Sequence, residues 1–189
     1  QKADVWINGI HLGRHNFGYI GFNYDLTPYL VDGENVIAVR VDNSEQPNSR
    51  WYTGSGIYRH VWLIQTGNTR VDHWGIFVST PSVTKEQADI KVQVELTDDS
   101  EISLDVIDAD GRVVLSQDCP PAKVHEYTLA LDNPVLWSCE NPVLYTLHTK
   151  VVRNGEMTDD VYTRFGIRTI HFDKNNGFLC DAYNPVSIK

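Results

Sequence analysis

Cysteine is scarce and methionine nearly absent, with three cysteines and one methionine in 189 residues. Cys119, Cys139 and Cys180 are odd in number, far apart and free of any C-x-x-C, which argues against a disulfide framework or a zinc site. A Cys119–Cys139 bridge is not expected. No apolar run approaches the ~18 residues of a membrane helix, so no transmembrane segment and no membrane partner are expected. A block of lysines or arginines is missing too. The 16 basic residues are outnumbered by 25 acidic ones, for a net charge of -9 and a pI near 5.1. Phosphate recognition rests on clustered cations, so nucleic acid is an unfavourable partner and a neutral ligand is compatible. The N-terminus lacks an initiator methionine and a charged-then-apolar leader. It reads as an entry into a strand from within a larger protein. The compartment is undetermined by this, with a periplasmic or secreted location slightly favoured.

Recognisable catalytic signatures are equally lacking. There is no G-x-S-x-G, P-loop or dinucleotide fingerprint. Asp108-x-Asp110-Gly111 is a hairpin turn, since Arg112 stands where a calcium loop needs a ligand. His11 and His15 have i, i+4 spacing, but Gly13 between them disfavours the helix a zinc pair would need. Asp98-Asp99, Asp108, Asp110 and Asp159-Asp160 are read as solvated turn residues. His60, His73, His125, His148 and His171 alternate with apolar neighbours and are read as surface or hydrogen-bonded core residues. No metal, no cofactor and no catalytic residue is expected.

What is present is strand pattern. Hydrophobic residues make up 41% of the chain at a mean hydropathy of -0.32. Val5-Trp6-Ile7, Asn8-Gly9 and Ile10-His11-Leu12 form a hairpin signal, because Asn-Gly accepts the positive φ angles of a type I′ turn. Residues 22–26 alternate, and Thr27 and Pro28 suggest a capped helical turn. Residues 36–41 are apolar and β-branched, as suits a central strand. Further on, Ile90, Val92, Val94 and Leu96 alternate with polar residues, and Ile102, Leu104 and Val106 repeat the pattern. Arg112 to Leu115, Tyr127 to Leu131, Tyr145 to Val151 and Val161 to Phe165 follow. With the strand around Phe77 this predicts about seven short strands, an immunoglobulin-like sandwich.

The densest stretch is 48–64. Its first part is a Gly-rich turn with Trp51 and Tyr52, and residues 57–64 suit a buried strand. One reading is a sandwich core closed by a tight turn; the other is a sugar site, where aromatic faces meet amide and guanidinium groups.

Trp51 to Leu63, read W-Y-T-G-S-G-I-Y-R-H-V-W-L, resembles the end of the sugar-binding domain of family 2 glycoside hydrolases of the β-galactosidase type. Asp4-Val5-Trp6-Ile7-Asn8-Gly9, Leu136-Trp137-Ser138-Cys139-Glu140-Asn141-Pro142 and Phe165-Gly166-Ile167-Arg168-Thr169-Ile170 match the same family in the same order. The resemblance implies an all-β chain. Residues 1–68 would be the C-terminal part of a galactose-binding-like jelly roll, 69–172 an immunoglobulin-like β-sandwich, and 173–189 the lead-in to a (β/α)₈ catalytic barrel. Four or five strands in 1–68 fall short of a jelly roll's eight. The unpaired edges would then pair with another copy, as in a homo-oligomer, or be poorly ordered.

By the same resemblance the whole enzyme would hydrolyse terminal β-D-galactose with retention, with both glutamates on the barrel, so this segment would be inactive. Asn48, Ser49, Arg50 and Trp51 would border the sugar subsite, and Arg59 would make a structural ion pair. A β-glucuronide or β-mannoside substrate, a free-standing carbohydrate-binding module and a structural spacer are the alternatives.

Overall fold

A computed structural model describes residues 2–45, 54–175 and 177–180. The chain is all-β, and it divides into two compact units, 1–63 and 64–189.

In the first unit β1 (Lys2–Ile7) lies between β2 (Ile10–His15) and β3 (Ile37–Asp42), antiparallel to both. The β1–β2 turn is the expected one, with Asn8 at φ 50° and Gly9 at φ 82°. Asn8 does a second job. Its side-chain amide donates to Tyr29 O and Asn35 Oδ1, while its Oδ1 accepts from Val36 N–H, anchoring the long β2–β3 connection. Val5 and Ile7 are buried. The Tyr24 ring presses over Gly13, opposite Val5, where an added Cβ would come within 2.8 Å of the phenol oxygen.

Several expectations for this unit fail. Residues 57–64 form no strand, and their apolar side chains are 60 to 81% exposed. Residues 22–26 are also irregular. β3 is an edge strand in the described sheet rather than a central one, with Ile37 and Val39 exposed. The shared reason is that an apolar strand needs both a neighbour and an opposing layer, and among the described residues this unit forms only the one three-stranded sheet. The helical turn is a 3₁₀ turn at Thr27–Tyr29. Leu26 takes the N-cap position, and the Thr27 N–H donates to Asp25 Oδ1 at 2.9 Å.

The second unit has β4 (Val71–Val83), β5 (Gln87–Ile107), β6 (Val113–Asp132), β7 (Tyr145–Arg153) and β8 (Glu156–Phe165). Five strands replace the expected seven because two pairs of predicted strands are continuous. β5 and β6 form one long hairpin that bends where the register shifts between Glu95 and Ile102. Before the bend β5 pairs with β4, and after it with β7, which pairs with β8. A bend of this kind lets one strand serve both layers of a sandwich. Ile90, Val92 and Val94 from one half of β5 join Ile102, Leu104 and Val106 from the other half in a single core. His125, 2% exposed, holds the bend by donating from Nε2 to Ser100 O at 3.1 Å; a carbonyl only accepts, so that nitrogen carries the proton. The bend also places Asp98 and Asp99 within β5, and Asp159 and Asp160 lie in β8, so these acids are not turn residues.

Asp108 behaves as predicted, accepting the backbone N–H groups of Asp110 and Arg112 in the β5–β6 turn. The Phe165-Gly166-Ile167-Arg168 motif packs on the Trp137 loop. A Cβ on Gly166 would come within 2.9 Å of the Trp137 ring, and the Arg168 guanidinium stands 4.4 Å from that ring's centroid. Beyond it, β9 (Ile170–Asp173) and β10 (Gly177–Cys180) pair as a hairpin.

Candidate functional site

Strand alternation puts Lys2, Asp4 and Trp6 on one face of β1. The register sets Arg14 of β2 and Arg40 of β3 on either side of Asp4. Arg14 grips the carboxylate with two bonds, Nε to Oδ1 and Nη2 to Oδ2, both 2.9 Å. Arg40 Nη2 donates to Oδ2 at 2.9 Å and His11 Nε2 lies 3.1 Å from Oδ1. The Arg14 hydrogen bonds, against the opposing effect of burial and with help from Arg40 and His11, hold the Asp4 carboxyl far below the usual carboxylate range.

With both oxygens occupied, Asp4 cannot serve as a general acid or base. It is a hub that fixes two half-exposed guanidiniums, each with N–H groups to spare. Arg40 also lies 5.8 Å from the Trp6 ring centroid, and Trp6 stacks obliquely on His11 at 5.0 Å. The result is a face of fixed donors beside an aromatic ring, a combination suited to hydroxyl or carboxylate groups.

Asn48, Ser49, Arg50 and Trp51 follow β3 along the chain. Those four residues lie outside the described residues. The segment's base is visible: Asn43 Nδ2 donates to Gly54 O at 3.4 Å, closing the chain just beyond β3. Downstream, Tyr58 Oη donates to Gly18 O at 2.9 Å. Arg59 is exposed and makes no ion pair among the described residues, contrary to expectation. The sequence reading missed the Asp4 hub, because Asp4, His11, Arg14 and Arg40 become neighbours only through strand register. Asp4 alternates onto the face opposite Val5 and Ile7, so the strand pattern gave no signal that its carboxylate would be buried.

The histidines separate into clear roles. His11 joins Asp4, and His15 stacks on Phe22 with centroids 4.6 Å apart. His148 lies flat on Tyr162 at 4.0 Å, with Nε2 3.3 Å from Asp160. No group of histidine, cysteine and acidic residues that could hold a metal exists among the described residues. Cys119 and Cys139 are both free thiols.

Residues 1–67 match the sugar-binding domain of glycosyl hydrolases family 2, and residues 59–168 match glycosyl hydrolases family 2 itself. The chain belongs to that family. It is 47% identical to the β-galactosidase BoGH2A of Bacteroides ovatus over 96% of its own length and 23% of the relative's. It is 35% identical to a β-glucuronidase, so described provisionally, of Formosa agariphila over 97% of its length and 18% of the relative's. Among solved structures, a family 2 member from Bacteroides cellulosilyticus superposes with a TM-score of 0.87 at 35% identity, covering 95% of this chain and 26% of that one. The chain therefore spans about a quarter or less of the length of these relatives.

Proposed function

We propose that this chain is the non-catalytic portion of a retaining β-glycosidase acting on terminal, non-reducing β-D-galactose. In this reading, residues 1–68 are the end of the sugar-binding jelly roll, 69–172 the immunoglobulin-like sandwich and 173–189 the approach to a catalytic barrel. The observation that carries the galactose assignment is the 47% identity to the Bacteroides ovatus β-galactosidase across nearly the whole chain. Asn48, Ser49, Arg50 and Trp51 would border the sugar subsite. Retaining hydrolysis needs two carboxyl groups about 5–5.5 Å apart. Asp4 is engaged by Arg14 and Arg40, Asp108 caps a turn and Asp160 faces His148, and the 189-residue chain alone is expected to be inactive.

A β-glucuronide is the second reading, supported by the Formosa agariphila relatives and by a Bacteroides uniformis β-glucuronidase structure at a TM-score of 0.82. The spare guanidinium donors of Arg14 and Arg40 would also suit a carboxylate. The test is to assay the full polypeptide that carries this chain on nitrophenyl β-galactoside and β-glucuronide, beside the 189-residue chain. Galactoside cleavage by the full polypeptide alone supports the proposal. Preference for the glucuronide overturns the substrate, and turnover by the isolated chain overturns the non-catalytic assignment.

A further inference from the structure

Trp74 is the most exposed aromatic side chain among the described residues of the second unit, at 83%, and its backbone sits at φ +61°. A bulky residue is uncommon in that left-handed region and persists only where its surroundings enforce it. The enforcement is visible. The β4–β5 register shifts between Val71 and Ile76, forming a bulge that carries Asp72, His73 and Trp74. Gly75 is pressed so close to β5 that a Cβ would come within 2.5 Å of Glu95 O and 2.8 Å of Asp72 O. His73 N–H is tied to Asp72 Oδ1 at 2.8 Å, and the His73 ring meets the Trp74 ring edge-on at 5.2 Å. Bulges of this kind re-aim side chains, and this one turns an indole into solvent.

Three residues further along β4, past the bulge, the outer sheet face carries aromatic and polar groups. Phe77, 60% exposed, stands directly across from Gln93, which stands across from Glu126. Gln93 Nε2 donates to Glu126 Oε2 at 3.3 Å, and Lys91 forms an ion pair with Glu126. An aromatic ring, an amide and a carboxylate thus lie in one row across three strands. Apolar rings beside such groups suit a pyranose, with its C–H faces and its hydroxyl rim. Charge narrows the choice further. Asp72, Glu95 and Glu126 outnumber the ammonium of Lys91, which is already paired with Glu126, so an anionic sugar would be disfavoured.

We propose that Trp74, with Phe77 and the Gln93–Glu126 row, forms a second carbohydrate-contact surface, one that takes neutral oligosaccharides and disfavours uronates. It goes beyond the subsite proposed at residues 48–51 and does not depend on the enzyme's substrate. The experiment is a titration of the 189-residue chain with β-1,4-galactotetraose and with tetragalacturonic acid up to about 10 mM, the range of weak single-site affinities. Tryptophan emission and the Trp74 indole N–H signal are both followed. The neutral sugar should give a saturable response and the uronate none. Trp74→Asn, which tolerates the left-handed backbone, should weaken binding about tenfold, the effect of one aromatic contact of ~1.4 kcal/mol. Phe77→Ala should weaken it less, and Trp51→Ala should leave the Trp74 signal unchanged. Equal binding by Trp74→Asn, equal response to the uronate, or no saturable response to galactotetraose would each overturn the surface. Loss only in Trp51→Ala would overturn it while leaving the 48–51 subsite standing.

Discussion

The two units carry similar apolar alternation and use it differently. In the second unit the bend in β5 folds one half of a strand over the other, so Ile90, Val92 and Val94 find their cover in Ile102, Leu104 and Val106. In the first unit Val5 and Ile7 are buried, but their β3 neighbours Val39 and Ile37 stay exposed, as do the apolar residues of 57–64. Alternation identifies an apolar face; it does not supply the layer that covers it. The first unit compensates with polar fastening, through the Asp4 hub and the Asn8 and Asn35 brackets.

The comparison can be broken most directly by hydrogen exchange in dilute solution. Core amides of 69–172 should exchange about a thousandfold more slowly than those of 3–64, because local opening spans the range from near zero to the global stability. Equal protection would remove the contrast. Leu104→Ala, at a fully buried position, should cost about 2–5 kcal/mol in denaturant melts of the second unit. A cost under about 1 kcal/mol would mean that core is loosely packed.

Acid sharpens the contrast from the other side. The folded-state pKa of Asp4 is depressed, so its stabilising contribution is complete above its unfolded value of about 3.9 and is lost as pH falls through the folded value. The Trp6 indole signal should therefore report loosening of the first unit below about pH 4. Asp4→Asn should show that loosening already at neutral pH and abolish its acid dependence.

Smaller effects complete the series. Gly155 has φ +79° in the β7–β8 turn, and Gly155→Ala should cost about 1 kcal/mol in the second unit's melts. Val61→Asp, at an exposed site, should change the stability of this chain by less than about 0.5 kcal/mol. In a polypeptide of the relatives' full length the same change should cost about 2 kcal/mol or more if 57–64 is covered there.

Much was legible without coordinates. The Asn8-Gly9 turn follows from residues that accept positive φ, and the period-2 runs of β5 and β7 locate the core face. Other features were not. The segment 57–64 has strand composition, but composition cannot report whether a neighbour is present. Predicted strand ends near Leu96 and Leu115 were bends or continuations, because polar residues at a bulge look like a turn when only local order is read.

The sequence by itself determined the all-β class, the family and the positions of its tight turns, since these depend on side-chain alternation and local backbone preference. Only the tertiary structure decided which apolar faces are covered, that Asp4 gathers Arg14, Arg40 and His11, and that Trp74 turns outward. Each of those rests on strand register, which brings together residues that are distant along the chain and carry no local mark of their partners.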